Sequence, residues 1–129
     1  MQETPYEPEI LIVDNDEMVV RAMCLRFEHA GYKCTTAQSG AQALAAYNPA
    51  YTSLVVTDLN MPNGTGIDLI QSIQLLGDTP IIVVSGFADA YAKGLRRAPN
   101  VTVLKKPFEA SALLELAELE LLRSGRRAA

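Results

Sequence analysis

Ile10-Leu11-Ile12-Val13-Asp14-Asn15-Asp16 is an apolar run that ends abruptly in three polar residues. Short, unbroken and rich in β-branched side chains, the run reads as a strand covered on both faces, with the polar triplet opening the turn after it. Residues 17–30 then follow a helical period. Val20, Met23, Cys24 and Phe27 fall at i, i+3, i+4 and i+7, which puts them on one face directed at the sheet. Gly31 stops this helix, because glycine tolerates the left-handed backbone of a helix C-terminus.

The same unit recurs along the chain. Residues 33–37, 54–57, 80–84 and 101–104 read as further strands, and residues 41–47, 66–76, 88–96 and 109–122 as further helices. Gly94 interrupts the fourth helical segment, and Arg96, Arg97 and Pro99 crowd its end. The last helix carries its apolar stripe at Leu113, Leu116, Ala117 and Leu121, with Glu115 and Glu118 on other faces. Strands alternating with helices imply right-handed crossovers and an α/β fold, a doubly wound five-stranded parallel sheet with helices on both faces.

At 129 residues the chain holds one ordinary domain. The expected division is a loose N-terminal tail at 1–9, the domain at 10–122, and a C-terminal tail or linker start at 123–129, in which Arg123, Arg126 and Arg127 are solvated. No apolar run approaches the roughly 18 residues of a membrane span, and the acidic, proline-bearing start is no signal peptide. A net charge of −4 argues against nucleic acid as a partner of this domain. Cys24 and Cys34 have neither metal-ligand spacing nor a disulfide framework around them, so free thiols in a reducing cytoplasm are expected. His29, near a helix end, reads as a solvated side chain.

In an open parallel sheet, functional groups gather beyond the C-terminal strand ends. The first strand delivers Asp14, Asn15 and Asp16, the third Asp58, the fourth Ser85, and the fifth Lys105 and Lys106. Singly, each has an ordinary explanation: Asp14 or Asp16 caps a helix, Asp58 starts a turn, Lys106 is a surface charge. Together, carboxylates on one edge repel one another unless a cation or a lysine neutralises them. Carboxylate oxygens suit Mg²⁺, which takes one or two carboxylates together with phosphate oxygens. A carboxylate beside such an ion can attack a phosphoryl group and form an aspartyl-phosphate.

The strings Ile10-Leu11-Ile12-Val13-Asp14-Asn15-Asp16, Thr57-Asp58-Leu59-Asn60-Met61-Pro62 with Gly66 beyond it, Ser85-Gly86, and Lys105-Lys106-Pro107-Phe108 resemble the response-regulator receiver family, in register from about Ile10 to Leu122. The resemblance implies a flavodoxin-like sheet in strand order 2-1-3-4-5. It implies that Asp58 accepts a phosphoryl group from a histidine kinase or histidine phosphotransfer protein. Asp14, Asn15, Asp58 and the Asn60 carbonyl would surround Mg²⁺, while Ser85 and Lys106 would bind the phosphoryl oxygens. The Lys106-Pro107 peptide would be cis. Phosphorylation would then bias the surface of the fourth helix, fifth strand and last helix toward a downstream effector, an output domain or a homodimer.

Two positions depart from the family pattern. Asn15 is neutral where a second acid is usual, which weakens the cation site, and Asp16 compensates only in part. Val103 stands where many receivers carry a switching aromatic residue. Two rival readings remain: a haloacid-dehalogenase-like phosphatase using Asp14 as nucleophile and Asp16 as acid, and a receiver-fold interaction module that no longer uses phosphate.

Overall fold

The computed structural model describes residues 8–59, 66–86 and 100–125. Its elements run β1 (Glu9–Val13), α1 (Glu17–His29), β2 (Lys33–Ala37), α2 (Gly40–Ala46), β3 (Thr52–Asp58), α3 (Gly66–Leu76), β4 (Ile81–Ser85), β5 (Val101–Lys105) and the last helix (Ala110–Arg123). The expected helical segment 88–96 lies outside the described residues. All strand pairs are parallel, in the order β2-β1-β3-β4-β5.

Side-chain alternation along each strand divides the core into two layers. Leu11, Val13, Val55, Ile81 and Val83 point to the face covered by Ala43 of α2 and by Leu69, Ile70 and Ile73 of α3. Ile10, Ile12, Leu54, Val56, Ile82 and Val84 point to the other face, where Val20 and Phe27 of α1 meet Leu113, Ala117 and Leu121 of the last helix. Each such Ile or Leu, removed fully from water, contributes about 1.5–3 kcal/mol. β3 is buried along its whole length, as a central strand with helices on both faces must be. Val103 packs, half-buried, against the layer of α2 and α3.

The helix ends have local causes. The Asp16 side chain accepts from the Met18 N–H and caps α1. At the other end Gly31 has φ 97°, its N–H donates to the Glu28 carbonyl, and the Tyr32 N–H donates to the Phe27 carbonyl. That pair of bonds is a Schellman motif, completed by edge-to-face contact of the Phe27 and Tyr32 rings at 5.9 Å.

Strand and helix limits differ from the sequence expectation by one or two residues, with two consequences. Glu9 belongs to β1 rather than to a tail, held by its N–H to Ser53 Oγ, while the Pro8 carbonyl accepts from Lys33 N–H. Arg123 is likewise not a tail residue: it closes the last helix and pairs with Glu120, a buried carboxylate three residues back that requires a partner.

Candidate functional site

The strand register brings four of the singled-out residues to one rim. β1 pairs with β3 so that Val13 faces Thr57, which sets Asp14 level with Asp58, the last residue of β3. β4 ends on Ser85, which pairs with Lys105, so Lys106 emerges beside it. The Lys106 N–H donates to the Ser85 carbonyl at 2.7 Å, and the Leu59 N–H to the Val84 carbonyl at 3.2 Å, so the ends of β3, β4 and β5 are tied laterally.

From this frame Lys106 Nζ reaches Asp58 Oδ2 at 3.2 Å. The Asp58 side chain is largely buried, whereas that of Lys106 remains about one-third exposed. Asp14 is 4% exposed and accepts from the Asp16 N–H at 2.9 Å. Burial lifts the Asp14 carboxyl above the ordinary carboxylate range. The Asp16 N–H opposes the rise, the Asp58 charge adds to it, Lys106 opposes it, and a hydrogen bond shared with the Asp58 side chain adds again. Two acidic groups are therefore held against one another with one ammonium between water and the pair.

The remaining candidates are placed differently. Ser85 is buried at the rim. Asn15 and Asp16 are exposed, and Asp16 is occupied as the cap of α1. Lys105 is exposed. Asn60 lies outside the described residues. The Lys106-Pro107 peptide is cis. Among the described residues no group of three or more His, Cys, Asp and Glu is gathered to hold a metal ion. The hard oxygens of Asp14 and Asp58 nonetheless fit Mg²⁺, which needs no more than one or two carboxylates when phosphate oxygens complete its shell, and their mutual repulsion is what a cation would relieve. The two thiols are free, and Cys34 is pushed up by burial and by its contact with Cys24.

Gly66 and Thr57 support the rim in ways that sequence reasoning did not derive. A Cβ on Gly66 would lie 2.6 Å from the Asp58 carbonyl oxygen and 2.8 Å from Leu59 Cα, so only glycine lets α3 begin this close to the end of β3. The buried Thr57 hydroxyl donates to the same Asp58 carbonyl at 3.0 Å. Gly66 stands beyond the Asp58 motif in the sequence, but the approach that requires it is a tertiary one.

Among the described residues no helix is long and apolar enough to cross a membrane. The family described as "Response regulator receiver domain" matches residues 10–118. "Response regulator ArlR" of Staphylococcus aureus is 30% identical over 108 residues, which cover 82% of this chain and 49% of that protein. The chain thus spans about half the length of the curated relatives it matches. Among solved structures, the non-phosphorylated HemR receiver domain of Leptospira biflexa is 29% identical with a TM-score of 0.80, covering 89% of this chain and 94% of the other. A receiver domain protein from Clostridium thermocellum superposes with a TM-score of 0.84 at 23% identity, covering 92% and 97%, and speaks to the fold alone. With its 2-1-3-4-5 sheet and its match over most of its length, the chain belongs to the response-regulator receiver-domain family.

Proposed function

We propose that this chain is a phosphorylation switch of a two-component or phosphorelay system, in which Asp58 accepts a phosphoryl group from a phosphohistidine on a kinase or phosphotransfer protein. The observation that carries the reading is the 3.2 Å contact between Lys106 Nζ and Asp58 Oδ2 at a rim shared with Asp14. An aspartate held by an ammonium beside a second carboxylate is ready for a dianionic phosphoryl group, because the same ammonium can shift to a phosphoryl oxygen as charge arrives.

In the proposed step an Asp58 oxygen forms a bond to phosphorus as the bond from phosphorus to the donor nitrogen breaks, and the imidazole leaves with that electron pair. Lys106 pairs with one phosphoryl oxygen and the Ser85 hydroxyl donates to another. Asp14 and Asp58, with the Asn60 carbonyl and the exposed Asn15 amide at the margin, are the groups that would hold Mg²⁺. When bound, that ion would supply positive charge against the phosphoryl oxygens. Water attack on the phosphorus later returns the Asp58 carboxylate and inorganic phosphate, which resets the switch.

A cytoplasmic location, a downstream effector or output domain, and pairing through the segment 88–96, β5 and the last helix complete the proposal. The dehalogenase-like alternative needs Asp16 as a free acid, whereas its carboxylate is engaged as the cap of α1. The test is incubation with acetyl phosphate and Mg²⁺ followed by intact mass. Gain of one phosphoryl group that Asp58→Asn abolishes supports the receiver. Loss confined to Asp14→Asn supports the phosphatase, and no gain supports the phosphate-independent module.

A further inference from the structure

Cys24 and Cys34 are the only cysteines of the chain, and the fold brings them to one seam. On α1, Cys24 lies one turn from both Val20 and Phe27, the buried residues by which that helix meets the sheet. On β2, Cys34 pairs with Ile10 of β1. Paired residues of neighbouring strands point to the same face, so Cys34 is directed at the layer that α1 covers, whereas Thr35, paired with Leu11, takes the opposite face. Both cysteines are therefore half-buried against Val20, Phe27 and Ile10, and their side chains are in contact.

A disulfide requires two cysteines whose side chains already meet, one condition that most pairs of cysteines fail. Here both thiols are free, and neither is sealed from water, so a small oxidant can reach them. Their surroundings also order the steps. Burial, the contact with Cys24 and the Glu28 and Glu9 carboxylates push the Cys34 thiol up, which keeps its proton in place and leaves Cys24 to react first. We infer that Cys24 and Cys34 form an oxidation site for hydroperoxides, closing to a disulfide that ties α1 to the edge strand β2. The Cys24 thiolate attacks a peroxide oxygen, the O–O bond breaks, and the leaving alkoxide or hydroxide takes up the proton that Cys24 gave away. Cys24 is then a sulfenic acid. With its negative charge gone, one cause that opposed ionisation of Cys34 is removed. The Cys34 sulfur attacks the Cys24 sulfur, the S–O bond breaks, and hydroxide leaves as water with the Cys34 proton. The two sulfurs together give up two electrons, and the peroxide accepts both. The inference is independent of the phosphoryl chemistry proposed for Asp58.

Hydrogen peroxide added to the reduced whole chain, followed by alkylation and a non-reducing peptide map, tests it. Expected are no thiol left to alkylate, one peptide pair joined through Cys24 and Cys34, and a Tm that dithiothreitol lowers by roughly 10 °C, because a short closed loop constrains the unfolded chain. Cys34→Ala stops at a sulfenic acid on Cys24, which dimedone captures. Cys24→Ala leaves Cys34 slower to oxidise by roughly tenfold or more. Thiols that both remain open to alkylation after peroxide overturn the inference. So does a disulfide joining two copies in place of the internal one, or a Cys24 that dimedone never captures in Cys34→Ala.

Discussion

Lys106 Nζ donates to Asp58 Oδ2 across 48 residues of sequence, joining the loop after β5 to the end of the central strand. The contact links charge balance in the ground state to the proposed chemistry, since the group that steadies the carboxylate is also the one placed to meet an incoming phosphoryl oxygen.

Lys106→Ala should therefore slow phosphorylation by small donors about 10²-fold, the usual cost of losing one preorganised donor to a developing anion. Lys106→Arg should recover part of the rate, as it keeps the charge but not the compact ammonium. Initial rates of phosphoryl incorporation at fixed donor and Mg²⁺ measure both. Equal rates in Lys106→Ala and the parent chain would remove this residue from the mechanism.

Asp14 predicts a pH dependence of stability. Its carboxyl titrates above the ordinary carboxylate range when folded, so between the ordinary and the raised value the native state binds more protons than the unfolded chain. Stability contributed through this group is thus greatest below that window and falls as pH rises through it. Asp14→Asn, which keeps an oxygen for the Asp16 N–H, should raise Tm at neutral pH by about 4 °C for each kcal/mol of relieved repulsion. The advantage should vanish in acid. Melting curves at pH 7 and at low pH decide the matter, and a lower Tm for Asp14→Asn at pH 7 would contradict the assignment.

Exposed and neutral, Asn15 leaves the rim one negative charge short of the family pattern. A unit charge about 4 Å from another is worth about 4 kcal/mol at an effective dielectric of ~20, before desolvation. Asn15→Asp should accordingly tighten Mg²⁺ binding by about tenfold or more in titration calorimetry, while Asp58→Asn weakens it. An unchanged affinity in Asn15→Asp would take position 15 out of the cation site.

Gly66→Ala should cost about 1–3 kcal/mol, because its Cβ can be housed only by moving the backbone of Asp58 and Leu59. The better helix propensity of alanine returns only part of this. Urea unfolding reads the stability, and a slower phosphorylation rate should accompany it, since the displaced backbone carries Asp58, the proposed acceptor. A neutral substitution would mean that α3 can draw back from β3 freely.

Much of this architecture was legible from local pattern. The alternating layers of β1, β3 and β4, the core faces of α1 and the last helix, and the stop at Gly31 each follow from spacing within a few residues. The gathering of Asp14, Asp58, Ser85 and Lys106 at one rim follows from strand ends in a parallel sheet, which periodicity supplies. Which lysine meets which carboxylate was not derivable that way, because the partners are far apart in sequence and only the family resemblance joined them. The same limit hid Gly66 against Asp58 and the bond from the Tyr32 hydroxyl to Glu118, each of which depends on how distant elements dock. Arg123, expected in a solvated tail, closes the last helix and, with its side chain still largely exposed, pairs with the buried Glu120 one turn earlier, a contact that depends on the burial of Glu120 against the core.

The most direct measurement is chemical location of the phosphoryl group. After labelling with acetyl phosphate and Mg²⁺, borohydride reduction of the acyl phosphate followed by peptide sequencing should find homoserine at position 58 alone. Homoserine at position 14, or a phosphoryl group that borohydride leaves in place on a hydroxyl side chain, would contradict the account.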